Sequence, residues 1–343
     1  MGVLTHTPAE TALIDALAGS TGWRAQLREA TLDQGMPTNR HEMWKWSNLR
    51  RESSQIETAG TISVSGIEGC ELTPEDQAVI DLGFSATNGV SAESISIRIK
   101  AGRSVTLIER YQLEAGSLAN IHMDITLEDG ARLDRISIQD DHSDGILIAS
   151  AEIALAKASY INQHTLCFGS KLSRHETHIS HAGEGVEVHL GGVYLLDEGR
   201  HADFTSVVNH TGPGGITRQL VKGAVAALAQ GVFQGKFKVE QAAQQTDAKM
   251  AHRALMLDDR AEIDAKPELE IYADDVQCAH GNALGALDET ALFYMRQRGI
   301  PEAKARALLI ESFLAEPLDS IIDEALRDEL KALLQDRLEA MTA

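Results

Sequence analysis

The chain has 343 residues, with 31 Lys plus Arg set against 51 Asp plus Glu, for a net charge of −20. That balance repels phosphate backbones, so nucleic acid is excluded as the expected partner. A hydrophobic content of 43% supports a packed core, but aromatics are only 4%, so that core must be built from Ile, Val, Leu and Ala.

Residues 1–58 read as a helical N-terminal region. Ala9 to Leu17 holds no Gly and few β-branched residues, and Pro8 suits a first helical turn, where its missing N–H costs nothing. Trp23 to Leu32 continues the character before Gly35-Met36-Pro37-Thr38-Asn39 breaks it. Trp44 and Trp46 then fall within three residues of each other, which marks this segment as one that docks onto something.

From 59 to 285 the texture is that of a β core. Ile95, Ile97 and Ile99 alternate with Ser94, Ser96 and Arg98; Ile121, Met123, Ile125 and Leu127 repeat the pattern, as do Ile136 and Ile138, then Val186, Val188 and Leu190. Such alternation predicts strands with one buried face. Turn glycines recur at a longer period. Gly102, Gly116 and Gly130 are 14 apart, Gly145 follows 15 later, and Gly185 and Gly199 are again 14 apart. Each glycine is expected to close one strand pair. A near-constant spacing favours stacked β-coils, a solenoid in which each coil buries its inner face against the next. A sandwich or jelly roll also turns often, and is the rival that spacing alone leaves open.

Residues 286–343 return to helix. Asp288 is positioned to cap a helix through Ala291-Leu292-Phe293-Tyr294-Met295. Gly299 ends it and Pro301 opens the next, whose inward face is expected to carry Ala305, Leu308, Leu309, Ser312 and Phe313 until Pro317 stops it. A last helix places Ile322, Leu326, Leu330, Leu333, Leu334 and Leu338 on one stripe. That stripe suits its own core first and another chain second.

Catalytic signatures are missing. His175-Glu176-Thr177-His178 lacks the second His four residues on, His41-Glu42 meets Lys45 there, and neither a P-loop nor GxSxG occurs. The bunched His164, His175, His178, His181 and His189 are expected to be solvated turn and strand-face residues rather than a metal cluster, since His175 and His178 would face opposite ways. Cys70, Cys167 and Cys278 form no CxxC pair, so neither a disulfide framework nor a zinc ribbon is expected, and a reducing compartment is. No run approaches the roughly 18 consecutive apolar residues of a membrane helix. The start, Met1-Gly2-Val3-Leu4-Thr5-His6, has no leader pattern, so a cytoplasmic location is expected. Cys278-Ala279-His280-Gly281 follows the strand-like Leu269-Glu270-Ile271-Tyr272-Ala273. On a continuing strand Cys278 and His280 share a face about 7 Å apart. Thiolate and imidazole suit iron, iron–sulfur clusters and zinc. Two ligands do not fill four positions, so a second chain is the simplest source of the rest; a buried Cys beside a satisfied His is the alternative.

The stretch from Lys266-Pro267-Glu268-Leu269 through Asp274-Asp275-Val276-Gln277 to Cys278-Ala279-His280-Gly281 resembles the signature of the SufD family of iron–sulfur assembly subunits. Gly285-Ala286-Leu287-Asp288 and Leu292-Phe293-Tyr294-Met295-Arg296-Gln297-Arg298-Gly299-Ile300 continue the resemblance. Upstream, Gly231-Val232-Phe233-Gln234-Gly235-Lys236, Ala243-Gln244-Gln245-Thr246-Asp247-Ala248 and Pro37-Thr38-Asn39-Arg40-His41-Glu42-Met43-Trp44-Lys45 fit it too. The sister SufB subunits typically read Glu-His-Glu-Ala where this chain has Cys278-Ala279-His280-Gly281. The resemblance implies a right-handed parallel β-helix between helical regions and a non-catalytic scaffold that pairs with a SufB subunit. It implies that the C-terminal helices contact the ABC-type ATPase SufC. It implies a transient iron–sulfur cluster at the SufB interface, with His280 as metal ligand and Cys278 as ligand or support. It also implies reduced flavin bound at the level of the complex, to which no residue is assigned. A homodimeric β-solenoid without a metal role is the alternative assembly.

Overall fold

A computed structural model describes residues 5–140 and 143–342. Among them, seventeen strands form two facing sheets. One holds β1 (Ile62–Ser65), β3 (Ala78–Ala86), β5 (Ser104–Leu113), β7 (Arg132–Gln139), β9 (Tyr160–Cys167), β11 (Glu187–Leu196), β13 (Ile216–Val225), β15 (Asp247–Met256) and β17 (Gln277–Gly285) in that order. The other holds β2 (Glu71–Leu72), β4 (Gly89–Ile99), β6 (Ser117–Leu127), β8 (Ile146–Leu155), β10 (Leu172–His181), β12 (His201–His210), β14 (Gln230–Val239) and β16 (Glu262–Ile271). Consecutive strands lie in opposite sheets, and each strand pairs in parallel with the one two ahead. Only β1 runs antiparallel, against β3. This is the β-solenoid that the spacing favoured, and the sandwich is set aside.

The 14-residue period has a different meaning from the one expected. A turn glycine closes a single strand, not a pair, so a full coil takes two periods. Leu133 lies beside Ile161, 28 residues on, and Ile216 beside Asp247, 31 on. Gly102, Gly116 and Gly130 have φ of +69°, +76° and +68°, the left-handed turns that favour glycine. Gly145 does not. A Cβ there would lie 2.7 Å from the Leu113 Cβ, so close packing rather than turn geometry requires its small size.

The alternating residues behave as expected. Ile95, Ile97, Ile99, Ile121, Met123, Ile125 and Leu127 are all buried in one core that runs along the lumen. Ile136 and Ile138 are buried as well, but on the outer face. There they join Leu166, Phe168, Val193 and Leu195 beneath the C-terminal helices.

Those helices are α4 (Glu289–Gln297), α5 (Glu302–Leu314) and α6 (Glu324–Thr342), with a short 3₁₀ turn, Glu316–Ser320, before α6. Asp288 caps α4 by accepting from the Thr290 and Ala291 amides, and Gly299 follows it at φ +83°. The contact face of α5 differs from expectation: Ala305, Ile310 and Leu314 are buried, whereas Leu308 and Ser312 point outward. Helical spacing sets Ile310 and Leu314 one turn apart, and that pair, not Leu308, meets the sheet. Ile322 precedes α6 and is 62% exposed, while Leu326, Leu330, Leu334 and Leu338 dock on the chain's own sheet.

At the other end of the sequence, α1 (Pro8–Ala16) begins with a capping box. Thr7 accepts from the Glu10 amide and Glu10 reaches back to the Thr7 amide. Between α2 (Gly22–Gln34) and α3 (Leu49–Glu52), the tryptophan segment finds its dock on the outer face of the sheet that contains β10 and β12. The guanidinium of Arg174 lies 4.2 Å from the Trp44 ring centroid. Ser47 Oγ donates to Asp203 at 2.5 Å, and Gln234 Nε2 donates to the Met43 carbonyl at 3.1 Å. Arg174 and Asp203 are both fully buried and 2.6 Å apart. Glu176 receives the other side of Arg174 at 2.8 Å. Burial would raise the Glu176 carboxyl, but Arg174, with His178, outweighs that and holds it down to about 2. Removing the cation strands a buried carboxylate. Arg174→Leu is therefore expected to cost about 3–5 kcal/mol of unfolding free energy, measured by urea denaturation at neutral pH.

The lumen is polar in its middle. Glu109 and Arg135 form a buried pair at 2.7 Å, Tyr111 donates to Glu109 at 2.5 Å, and Arg135 donates to Gln163 at 2.8 Å. His175 and His181 project into the same interior, and His181 pairs with His210 at 2.9 Å. The expectation that the histidine group is solvated is thus wrong for His164, His175 and His181, which are 1%, 7% and 2% exposed. The strand β10 puts His175 and His181 on the inward face, where a wide coil needs large side chains, whereas His164 lies on the outer face beside Ile136 and is covered by the turn at Ser320. His178 does face outward, between Glu176 and Glu152.

Burial depresses His164, His181 and His252 to about 4, and His175 and His210 to about 3. The unfolded chain binds protons at these sites near 6.5, so stability is full above that pH and falls as pH drops towards the folded values. Each group contributes up to about 1.4 kcal/mol per pH unit in that window. The melting temperature is expected to fall steeply between pH 6.5 and 5, with a shallower fall for His175→Leu.

Candidate functional site

The solenoid begins on two short strands and ends on two long ones. β1 folds back against β3, and Ile62, Val64 and Leu72 pack on the lumen core. At the far end β16 pairs only with β14, and β17 only with β15. Their outer edges carry unpaired backbone groups. Pro267 sits within β16, in the edge position where a strand tolerates proline.

Register decides what the last coil presents. On β17, Cys278, His280 and Asn282 stand beside Ala248, Met250 and His252 of β15. Those three β15 residues are buried and face the lumen. The β17 row therefore continues the lumen, but no later coil covers it. On β16, Ile263, Ala265, Leu269 and Ile271 stand beside the lumen-facing Gly231, Phe233, Phe237 and Val239.

Cys278 and His280 thus share a face, two residues apart on one strand. Cys278 is half-buried, packed near Val239 and Ala273, and His280 is exposed. Burial raises the Cys278 thiol, with Asp247 adding to the rise, against an opposing hydrogen bond with the Ala248 backbone. The thiol is therefore protonated at neutral pH, and a metal must displace that proton before sulfur can bind. The imidazole of His280 is exposed. Among the described residues, no group of three or more His, Cys, Asp or Glu side chains is placed to hold a metal ion. A site built here would need donors from elsewhere.

Reasoning from the sequence missed two buried partners of this row. His252 Nδ1 lies 2.8 Å from Asn282 Oδ1, and Tyr194 Oη lies 2.8 Å from His252 Nε2. Their link to Cys278 and His280 is a coil-to-coil offset of 30 residues, from His252 to Asn282. No local motif carries that offset.

The family description "SUF system FeS cluster assembly, SufBD core domain" matches residues 83–313. The chain belongs to the SufBD core-domain family. It is 37% identical over 218 residues to an iron–sulfur cluster assembly SufBD family protein of Synechocystis, an alignment that covers 64% of this chain and 48% of that protein. It is 29% identical over 261 residues to the iron–sulfur cluster assembly protein SufD of Escherichia coli, covering 74% of this chain and 62% of that one. The Bacillus subtilis SufD is 32% identical over 136 residues, 40% of this chain and 31% of the relative. The chain thus spans about half to two thirds of the length of the first two relatives. The SufBD match takes in every strand from β4 to β17, together with α4 and nearly all of α5. No helix among the described residues is long and apolar enough to cross a membrane.

The three thiols differ enough to be told apart. Cys70 is exposed, Cys278 is half-buried, and Cys167 is buried, which pushes its thiol up to about 12. Iodoacetamide at neutral pH is expected to modify Cys70 first and Cys278 more slowly, and to leave Cys167 untouched until the chain unfolds. Peptide mass spectrometry over time reads this order.

Proposed function

We propose that this SufBD-family chain is a scaffold subunit for iron–sulfur cluster assembly, and that its own role is to hold rather than to catalyse. The observation that carries the reading is the uncovered end of the solenoid, where Cys278 and His280 share an open face. A cluster of usual type takes four ligands. A thiol and an imidazole on one strand supply two at most, and a second subunit at the same end would supply the rest. The cluster is cargo, assembled at the junction and passed on.

His280 is the primary ligand in this reading. Its ring is exposed and needs only a neutral nitrogen. Cys278 supports it, because its sulfur must first give up a proton held by burial. The partner is a β-helix subunit of the SufB kind, seated on the free edges of β16 and β17. Ile271, Tyr272 and Leu284, 40%, 60% and 47% exposed, give that junction an apolar share.

A second partner belongs to the C-terminal helices. On α4, Phe293 and Tyr294 are 55% and 64% exposed and stack edge to face at 5.8 Å. Two neighbouring aromatics left in water fit a docking surface, and an ATPase of the SufC kind is the partner we assign to it. Because α4 follows β17 after a three-residue link, a movement of the ATPase would reach the cluster site directly. Reduced flavin would bind at the level of the assembled complex, with no residue of this chain assigned to it.

The deciding experiment is co-expression with SufB-like and SufC-like subunits, followed by iron and sulfide analysis. His280→Ala is expected to lower both at least several-fold, and Cys278→Ala to lower them less. Unchanged cluster content in His280→Ala removes the residue from assembly. Recovery of the chain only as a homodimer would favour a structural β-solenoid with no metal role.

A further inference from the structure

The lumen row on β17 does not end at His280. Asn282 follows on the same face, about 7 Å along the strand, and two buried groups fix its orientation. A histidine nitrogen that faces an amide oxygen must carry the proton, so His252 donates from Nδ1 to Asn282 Oδ1, 2.8 Å away. Its Nε2 is then the acceptor and takes the hydroxyl proton of Tyr194 at 2.8 Å. Both of these partners are fully buried. The Phe233 ring lies flat on the imidazole, 4.7 Å between centroids and 4° from parallel. Burial also holds His252 neutral at physiological pH, down to about 4. The tautomer and the ring plane are therefore set from behind. With its oxygen committed inward, the Asn282 carboxamide still has its NH₂ to donate, and the residue is exposed on the face that carries His280.

We infer that Asn282 is a positioning residue of the same site: its Nδ2–H₂ donates to an electron-rich sulfur, sulfide or a partner's thiolate, seated beside His280, and Tyr194 and His252 hold it in that orientation. The inference rests on the scaffold reading above. Its chemistry is that of outer-shell donors, which tune a metal site without ligating the metal. A hydrogen bond to sulfur stabilises the more negative, reduced cluster and raises its potential.

The test uses the full-length chain co-expressed with its two partner subunits and reconstituted anaerobically with ferrous iron and sulfide. Asn282→Leu is expected to retain cluster, to shift its midpoint potential to more negative values, and to lose iron to a chelator about 10-fold faster. Tyr194→Phe keeps the ring but frees the His252 tautomer, and is expected to shift both in the same direction by less. If Asn282→Leu fails to fold or to pair, Tyr194→Phe decides. A purely structural role would lower the melting temperature and leave potential and loss rate unchanged. That outcome, with His280→Ala still depleting the cluster, overturns this inference alone. No effect of His280→Ala overturns the reading beneath it.

Discussion

Each coil of the solenoid buries its inward row only because another coil lies about 4.8 Å further along. The constraint has an unavoidable exception at the final coil. At the first end the terminal strands are short, four residues in β1 and two in β2. At the last end β16 and β17 run for ten and nine residues, so they keep long free edges and a row of lumen residues in view. For an isolated soluble protein this is a liability. For a subunit built to be continued by another chain it is the interface, and the chemistry of the last row becomes the chemistry of the junction.

The interior behind that row is not a simple hydrocarbon core. Glu109, Arg135, Gln163 and Thr177 run across the lumen as a connected hydrogen-bonded set. Nearer the open end, Tyr194 and His252 form a second set that reaches Asn282. Buried polar sets of this kind contribute little net stability. They penalise the wrong register instead, because slipping one strand by a single residue would turn every lumen group outward and leave its partners unpaired. The register of the row on the last strand depends on registers accumulated over all earlier coils. The polar lumen enforces them.

Much of this was legible in the sequence, and the limits have physical causes. Period-2 alternation located the strands around Ile95–Ile99 and Ile121–Leu127 because one face of each is fully buried. The glycine spacing pointed to stacked coils, yet it measured half a coil, since Gly102, Gly116 and Gly130 follow single strands in succession; later turns place Ala158, Ala227 or Gln245 at positive φ instead. Cys278 and His280 stood out because neighbours two apart on a strand share a face whatever else the fold does. His175 and His181 were misjudged because alternation tells sides apart but not which side is inside when the lumen itself is polar, and His164 because the turn at Ser320, distant in sequence, covers its outer face. Leu308 was misplaced because α5 carries apolar residues around most of its circumference, and only the sheet beneath it selects Ile310 and Leu314. Asn282, His252 and Tyr194 were invisible as a group. They meet through offsets of 30 and 58 residues that are set by coil length.

The two free edges are not equivalent, and the difference bears on how a partner engages them. The lumen row of β16 consists of Ile263, Ala265, Pro267, Leu269 and Ile271, and that of β17 of Cys278, His280, Asn282 and Leu284. Pro267 has no amide hydrogen to offer, so a strand laid along β16 meets a gap in the ladder of donors. β17 has no proline between Gln277 and Gly285, and its backbone can pair without interruption. A partner subunit would then gain register from β17 and apolar contact from β16. The strand that bears the sulfur and the imidazole is also the one able to fix the partner's residues against them to within a single hydrogen-bond step.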